Sequence, residues 1–224
     1  LREKIDGLKM FLKIFMSLVT ATTFAQKEEN PPPAEGKKIT VALLGSDRNG
    51  NDKNISLEVK KLAKEIDPKK VRFIYNGGNV GLRYFFVQEF TSRGGEVSAY
   101  IVLNEKNKTP SSFASQIFSN DSQRMQQVYN DSDLFLVLPG GMETIGEMGF
   151  VIDQNASKNK TLRPLIVFDV NQYYTRFFQF IEYVEKQGFM DHKRLFRRSV
   201  KQENEITKIL SQIYFESNKE SKGK

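Results

Sequence analysis

Two glycine-rich turns hold the residue types with which this chain of 224 residues could do chemistry. The first is Tyr75-Asn76-Gly77-Gly78-Asn79-Val80-Gly81. The second is Pro139-Gly140-Gly141-Met142-Glu143-Thr144-Ile145-Gly146-Glu147. Each follows an apolar run and opens into a stretch with helical spacing. The start of a helix leaves backbone N–H groups without intrahelical partners, and glycine lets an anion come close to them. Two such turns on one sheet imply a phosphate-bearing ligand. In the second turn Thr144 adds a hydroxyl beside those donors. Glu147 follows about one helical turn later, so a carboxylate shares an element with the anion cradle. The Gly-Gly-x-x-Gly spacing of the first turn, taken alone, also serves tight strand-to-helix packing. Glu147 alone also fits a carboxylate placed by the helix dipole, worth about 0.3–1 kcal/mol. Neither turn is a dinucleotide fingerprint, because the Gly-x-Gly-x-x-Gly register is absent. Neither is a P-loop, because no Gly-Lys-Ser/Thr follows.

The elements that must position these turns follow from periodicity. Apolar runs predict strands over 39–45, 71–75, 97–103, 133–138 and 165–170. Helical spacing predicts helices over 56–66, 80–92, 121–129, 142–155, 173–186 and 203–215, with a polar loop over 104–111. Strands that alternate with helices make an α/β fold, a Rossmann-like doubly wound parallel sheet with helices on both faces. Ligands on such sheets bind at the carboxyl ends of the strands, near the point where strand order reverses. Both glycine turns lie at carboxyl ends.

Composition sets the outer limits. Hydrophobic residues make up 39% of the chain, with 18 Phe and 8 Tyr, enough for a core. The absence of cysteine removes disulfides, thiolate chemistry and Cys-zinc sites. The one histidine, His192, has no ligand spacing around it and reads as a surface or boundary residue. The net charge of +7 collects in part in Lys193, Arg194, Arg197, Arg198 and Lys201. No recognisable nucleic-acid module accompanies them, so they read as a solvated basic face and no nucleic-acid partner is expected.

Residues 1–25 read as a secretory signal peptide: Lys13 is basic, 14–24 is apolar, and Thr23-Phe24-Ala25 has the small-x-small pattern of a cleavage site. Cleavage over 10–25 implies an exported or periplasmic protein; an uncleaved helix implies a cytoplasmic one. The stretch is too short for a stable membrane span. Residues 26–38, with Pro31-Pro32-Pro33, read as a linker. The Rossmann-like domain is expected over 39–190, and 191–224 as a basic helical tail.

The two turns together resemble the motifs of the LOG (LONELY GUY) family of nucleoside 5′-monophosphate phosphoribohydrolases, proteins long labelled lysine decarboxylase-like. The family pattern Gly-Gly-Gly-x-x-Gly-Leu-Met-Gly is matched by 76–84, and Pro-Gly-Gly-x-Gly-Thr-x-x-Glu by 139–147. A helix arginine that precedes the second motif corresponds to Arg124, and a Gly-Ser that ends the first strand corresponds to Gly45-Ser46. Family glycines are replaced at Asn76, Tyr84 and Glu143, and the family methionine by Arg83. Glu143 stands in the phosphate loop, where a carboxylate adds bulk and repels an anion.

The resemblance implies hydrolysis of the N-glycosidic bond of AMP or a cytokinin nucleotide to free base and ribose 5-phosphate. Glu147 would stabilise the positive ribose and orient water, and Arg124 would hold the nucleotide and that carboxylate. Gly140, Gly141 and Thr144 would hold the phosphate, with Gly45, Ser46, Gly77, Gly78 and Gly81 completing the site. No cofactor and no metal are implied. The alternative is a catalytically impaired nucleotide-binding module on the same fold. Family members are commonly homodimers, so a homodimer is expected; Tyr84, Phe85, Phe86 and Phe90 suit either its surface or the core.

Overall fold

The computed structural model describes residues 36–156, 162–190, 197–200 and 202–221. Among the described residues seven strands form one sheet: β1 (Ile39–Leu44), β2 (Val71–Tyr75), β3 (Glu96–Val102), β4 (Ala114–Phe118), β5 (Leu134–Val137), β6 (Leu165–Phe168) and β7 (Arg197–Val200). Their order is β4-β3-β2-β1-β5-β6-β7, and every neighbouring pair is parallel. The helices are α1 (Lys53–Glu65), α2 (Gly81–Thr91), α3 (Asp121–Asp131), α4 (Met142–Ala156), α5 (Thr175–Lys186) and α6 (Glu203–Ser221). The expected α/β architecture is therefore present.

Both faces of the sheet are covered, which is why β1 and β5 are buried at every position, and apolar at all but Thr40, rather than at alternate ones. Val41 and Leu43 of β1 join Leu62 of α1, Phe86 of α2 and Leu210 of α6 in one core. Ala42 and Leu44 face the other way and join Val128 of α3, Met148 of α4 and Phe178 of α5. Phe86 and Phe90 are fully buried. Each meets Phe73 edge-on at 4.9 Å between ring centroids, so these two belong to the core.

Strand order reverses between β1 and β5, and on sheets of this kind the ligand crevice lies at that point. The parallel pairing runs past the strand ends into the loops. The Leu138 N–H donates to the Leu44 carbonyl at 2.9 Å, and the Ser46 N–H to the Pro139 carbonyl at 3.2 Å. This joins the loop after β1 to the second glycine turn. Helix starts are fixed locally. Asp52 accepts the Asn54 N–H at 2.9 Å, and Asn120 accepts the Gln123 N–H at 3.0 Å. Helix α2 has no side-chain cap. Its Arg83 N–H instead donates to the Ser46 carbonyl at 3.1 Å, so the loop after β1 caps it.

Two strands depart from the five expected. β4 and β7 are the sheet edges. Most of β4 is exposed, and β7 brings Arg197 and Arg198 into register with Leu165 and Ile166. The C-terminal segment is helical as expected over α6, but it is integral to the domain: Ile206, Ile209, Leu210 and Ile213 are core residues. The last residues of the expected linker are tied to it. The Gly36 N–H donates to the Tyr214 hydroxyl at 3.1 Å, and the Lys37 N–H to Asn218 Oδ1 at 2.9 Å. The expected signal peptide, most of the linker, and His192, Lys193, Arg194 and Lys201 lie outside the described residues. Among the described residues no helix is long and apolar enough to cross a membrane.

Gly81 opens α2 with φ +81°, and a β-carbon there would collide with the backbone of Asp47 and Arg48. Gly81→Ala is expected to destabilise the fold by about 1–3 kcal/mol or more, from the left-handed backbone and the clash. Gly149 lies within α4, and a β-carbon there meets nothing within 4 Å. Gly149→Ala is expected to stabilise by up to about 1 kcal/mol through helix propensity. Urea titrations of the two variants should move in opposite directions.

Candidate active site

The second glycine turn joins β5 to α4 at the crevice. Gly140 is buried, and a β-carbon there would collide with the Thr144 side chain; only glycine lets the turn pass so close to that threonine. Two tyrosines from the loop after β6 hold the turn. The Tyr173 hydroxyl donates to the Gly140 carbonyl at 3.0 Å, and the Tyr174 hydroxyl to the Leu138 carbonyl at 2.8 Å. Burial pushes the Tyr174 phenol well above its ordinary range, so it remains a donor. Asp169 sets its position by accepting the Tyr174 N–H at 2.6 Å. The intervening Asn171 and Gln172 are left-handed, with φ of 54° and 58°. That backbone strain is of order 1–3 kcal/mol per residue, and it lies in the loop that presents both tyrosines.

Glu147 sits in the second turn of α4 with 6% of its surface exposed, and Arg124 of α3 has 5%. Arg124 Nη2 lies 3.4 Å from Glu147 Oε1. The same guanidinium donates through Nε to Asp121 Oδ1 at 3.1 Å, which fixes its plane. Asn76, from the first glycine turn, donates through Nδ2 to Glu147 Oε1 at 3.3 Å and to Glu143 Oε1 at 3.2 Å. Arg83 of α2 is also buried, and its Nη1 lies 3.7 Å from Glu143 Oε1. Burial raises the Glu147 carboxyl above the usual glutamate range. Arg83 and Arg124 pull it down, and Glu143 pushes it further up.

The remaining sequence-derived candidates divide. Gly140, Gly141, Thr144, Arg124 and Glu147 meet at the start of α4. Gly45 and Ser46 adjoin them, with Gly45 close against Leu138 and the Arg83 stem, while the Ser46 hydroxyl accepts the Arg48 N–H at 2.9 Å. Gly77 and Gly81 are packed against protein: a β-carbon on Gly77 would meet Ile101 and Thr109. The Gly78 N–H donates to Thr109 Oγ1 at 3.1 Å. The first turn thus spends Gly77, Gly81 and the Gly78 amide on internal packing and hydrogen bonding. Sequence reasoning did not assign Asn76, Tyr173, Tyr174 or Asp121 to the site. Asn76 was visible only as a lost glycine, and the tyrosines come from an element remote in sequence.

Seven buried side-chain atoms among the described residues have no hydrogen-bond partner, and five of them lie here: Asn76 Oδ1, Arg83 Nε and Nη1, Thr144 Oγ1 and Glu147 Oε2. Buried polar atoms are normally paired, because an unmet one costs about 1–3 kcal/mol. A concentration of both donors and acceptors in one crevice fits a polar, anionic ligand with hydroxyls.

Comparison with known proteins identifies the relatives of this chain. The family model described as "Possible lysine decarboxylase" matches residues 88–211, more than half of the chain. Cytokinin riboside 5′-monophosphate phosphoribohydrolase LOG5 of Arabidopsis thaliana is 30% identical over 132 residues, 58% of each chain; the match thus spans less than two thirds of that relative's length. A rice (Oryza sativa subsp. japonica) relative, probable cytokinin riboside 5′-monophosphate phosphoribohydrolase LOGL3, is 28% identical over 158 residues, 68% of this chain and 73% of its own. Among solved structures, the Moco carrier protein of Chlamydomonas reinhardtii superposes with a TM-score of 0.58 over 80% of this chain and 98% of its own, at 12% identity, a likeness of fold alone. The match of the family model over more than half of the chain shows that the chain belongs to this lysine decarboxylase-like (LOG) family.

Proposed function

We propose that this chain hydrolyses the N-glycosidic bond of a nucleoside 5′-monophosphate, AMP or a cytokinin nucleotide, releasing the free base and ribose 5-phosphate. One observation carries the reading: Glu147 is buried against Arg124 near the start of α4 with its Oε2 unpartnered, three residues after Thr144, whose buried hydroxyl is also unpartnered. The names of the LOG relatives support the reaction class.

Cleavage builds positive charge on the ribose in an oxocarbenium-like transition state. The ionised Glu147 faces that charge through Oε2 and orients the attacking water. Arg124, anchored on Asp121, keeps Oε1 engaged so that Oε2 stays available. The N–H groups at the start of α4 and the Thr144 hydroxyl take the phosphate. The chemistry calls on no cofactor and no metal. A homodimer accords with the family; Phe86 and Phe90 are spent in the core, so its interface would draw on the half-buried Tyr84 and Phe85 or on exposed apolar surface such as Phe180, Tyr183 and Phe189.

A second reading, a nucleotide-binding module with impaired catalysis, is favoured by one observation: the Glu143 carboxylate stands in the cradle, hydrogen-bonded to Asn76. A panel of nucleoside monophosphates read by base release separates the two. Wild-type release of base supports the hydrolase; nucleotide binding without release supports the module.

Glu147→Gln is expected to lower kcat by at least about 10²-fold, the usual loss for a preorganised electrostatic group, measured below its melting transition, which falls because the buried Arg124 loses its charge partner. Retained activity removes Glu147 from the chemistry. The pH profile has a defined sign. The active form is the carboxylate, and burial raises its pKa. Protonation on acidification then removes the charge at a higher pH than for an exposed glutamate. The acid limb of kcat/KM should therefore lie above the usual glutamate range and vanish in Glu147→Gln.

A further inference from the structure

We infer that Arg83 is a ligand for the substrate's phosphate, and that Glu143 is a built-in carboxylate that occupies Arg83 until the phosphate replaces it. This deepens the reading of the site as a phosphate site and does not depend on catalysis.

Arg83 enters from α2, across the crevice from α4. Its stem passes close to Gly45 at the end of β1, where a β-carbon would lie 3.2 Å from Arg83 Cγ. Its backbone is held by the Ser46 carbonyl. Only 4% of the residue is exposed, yet Nε and Nη1 have no hydrogen-bond partner. The contact of Nη1 with Glu143 Oε1 is 3.7 Å, an ion pair too long to be a hydrogen bond. A buried guanidinium with two donors unspent is costly to hold. Its planar fork matches a phosphate better than a single carboxylate oxygen at that distance.

Glu143 is the movable partner. Its side chain is 55% exposed, so it loses little on swinging into water. The site contains two guanidiniums, Arg83 and Arg124, and three carboxylates, of which Asp121 is taken up by Arg124. Glu147 is fixed by burial, whereas the exposed Glu143 leaves by giving up one amide hydrogen bond from Asn76 and the long contact with Arg83. Thr144 follows Glu143 directly, and its buried hydroxyl has no partner. A phosphate monoester at the start of α4 would reach helix amides, the Thr144 hydroxyl and the Arg83 fork together. It brings up to two negative charges where Glu143 brings one. The exchange therefore favours a phosphate monoester over a neutral nucleoside and makes Glu143 a competitor for the ligand.

The test is calorimetric binding of inorganic phosphate and of AMP, at fixed ionic strength, to wild type, R83M, E143Q and the double variant. E143Q should tighten both ligands about tenfold, and R83M should weaken both by about tenfold or more. In the R83M background the gain from E143Q should largely disappear, since the competition acts through Arg83. Wild-type affinity in R83M, or an equal E143Q gain with and without Arg83, overturns the proposal. Glu143 is exposed, so E143Q stands alone if R83M does not fold: unchanged or weaker phosphate binding in E143Q also overturns it. Base release measured on the same proteins separates this from the hydrolase reading. The stated binding shifts without wild-type turnover remove the hydrolase and leave Arg83 assigned. Turnover with binding indifferent to both residues does the reverse.

Discussion

Burial of the Arg124–Glu147 pair is the constraint around which the crevice is built. Both side chains are about nineteen-twentieths removed from water. Taking an ion out of water costs several kcal/mol even after relaxation, and the opposite charge offsets this only with good geometry and further hydrogen bonds. The structure supplies those bonds from three elements: Asp121 orients the guanidinium, Asn76 braces the carboxylate, and the start of α4 favours negative charge. No single element makes this pair tolerable. The relative placement of α3, α4 and the turn after β2 is thereby fixed by the need to satisfy it.

The two glycine turns look alike in sequence and differ in use. In the first, Gly81 gives way to the backbone of the loop after β1, and Gly77 to Ile101 and Thr109. In the second, Gly141 is exposed with nothing within 4 Å, and the carbonyls on either side of Pro139 are held by Tyr173 and Tyr174. One turn supports, the other presents. This follows from the β1–β5 crevice. The loop after β1 has to rest on something, and α2 is its neighbour. The turn after β5 faces the open side.

Strands β1, β2, β3, β5 and β6 are legible as apolar runs because both faces of each are covered. The edge strands are not. β4 has almost no buried side chain to leave a pattern, and β7 is a four-residue edge carrying two arginines, so charge hides the pairing. Gly140, Thr144, Arg124 and Glu147 are legible because their roles are local or are carried by family motifs. Tyr173 and Tyr174 are not, since a hydroxyl that pins a carbonyl from 33 or 36 residues away leaves no spacing to detect. Gly77 and Gly81 show the opposite limit: sequence marks a glycine requirement without saying whether protein or ligand imposes it.

Arg83 and Glu143 are 60 residues apart in sequence and, read singly, each damages a phosphate site. A carboxylate in the cradle repels the ligand, and a long cation on the first turn of α2 must be buried. In space they adjoin each other at 3.7 Å, and each lowers the cost of the other. The pair itself carries no net charge at rest, unlike a cradle made only of amides, where the anion meets unopposed donors. Binding here is an exchange of anions. Such a site gives up some affinity and becomes selective for whatever competes better for a guanidinium than a side-chain carboxylate does. A phosphate monoester does, through its added charge and bidentate geometry; a nucleoside does not.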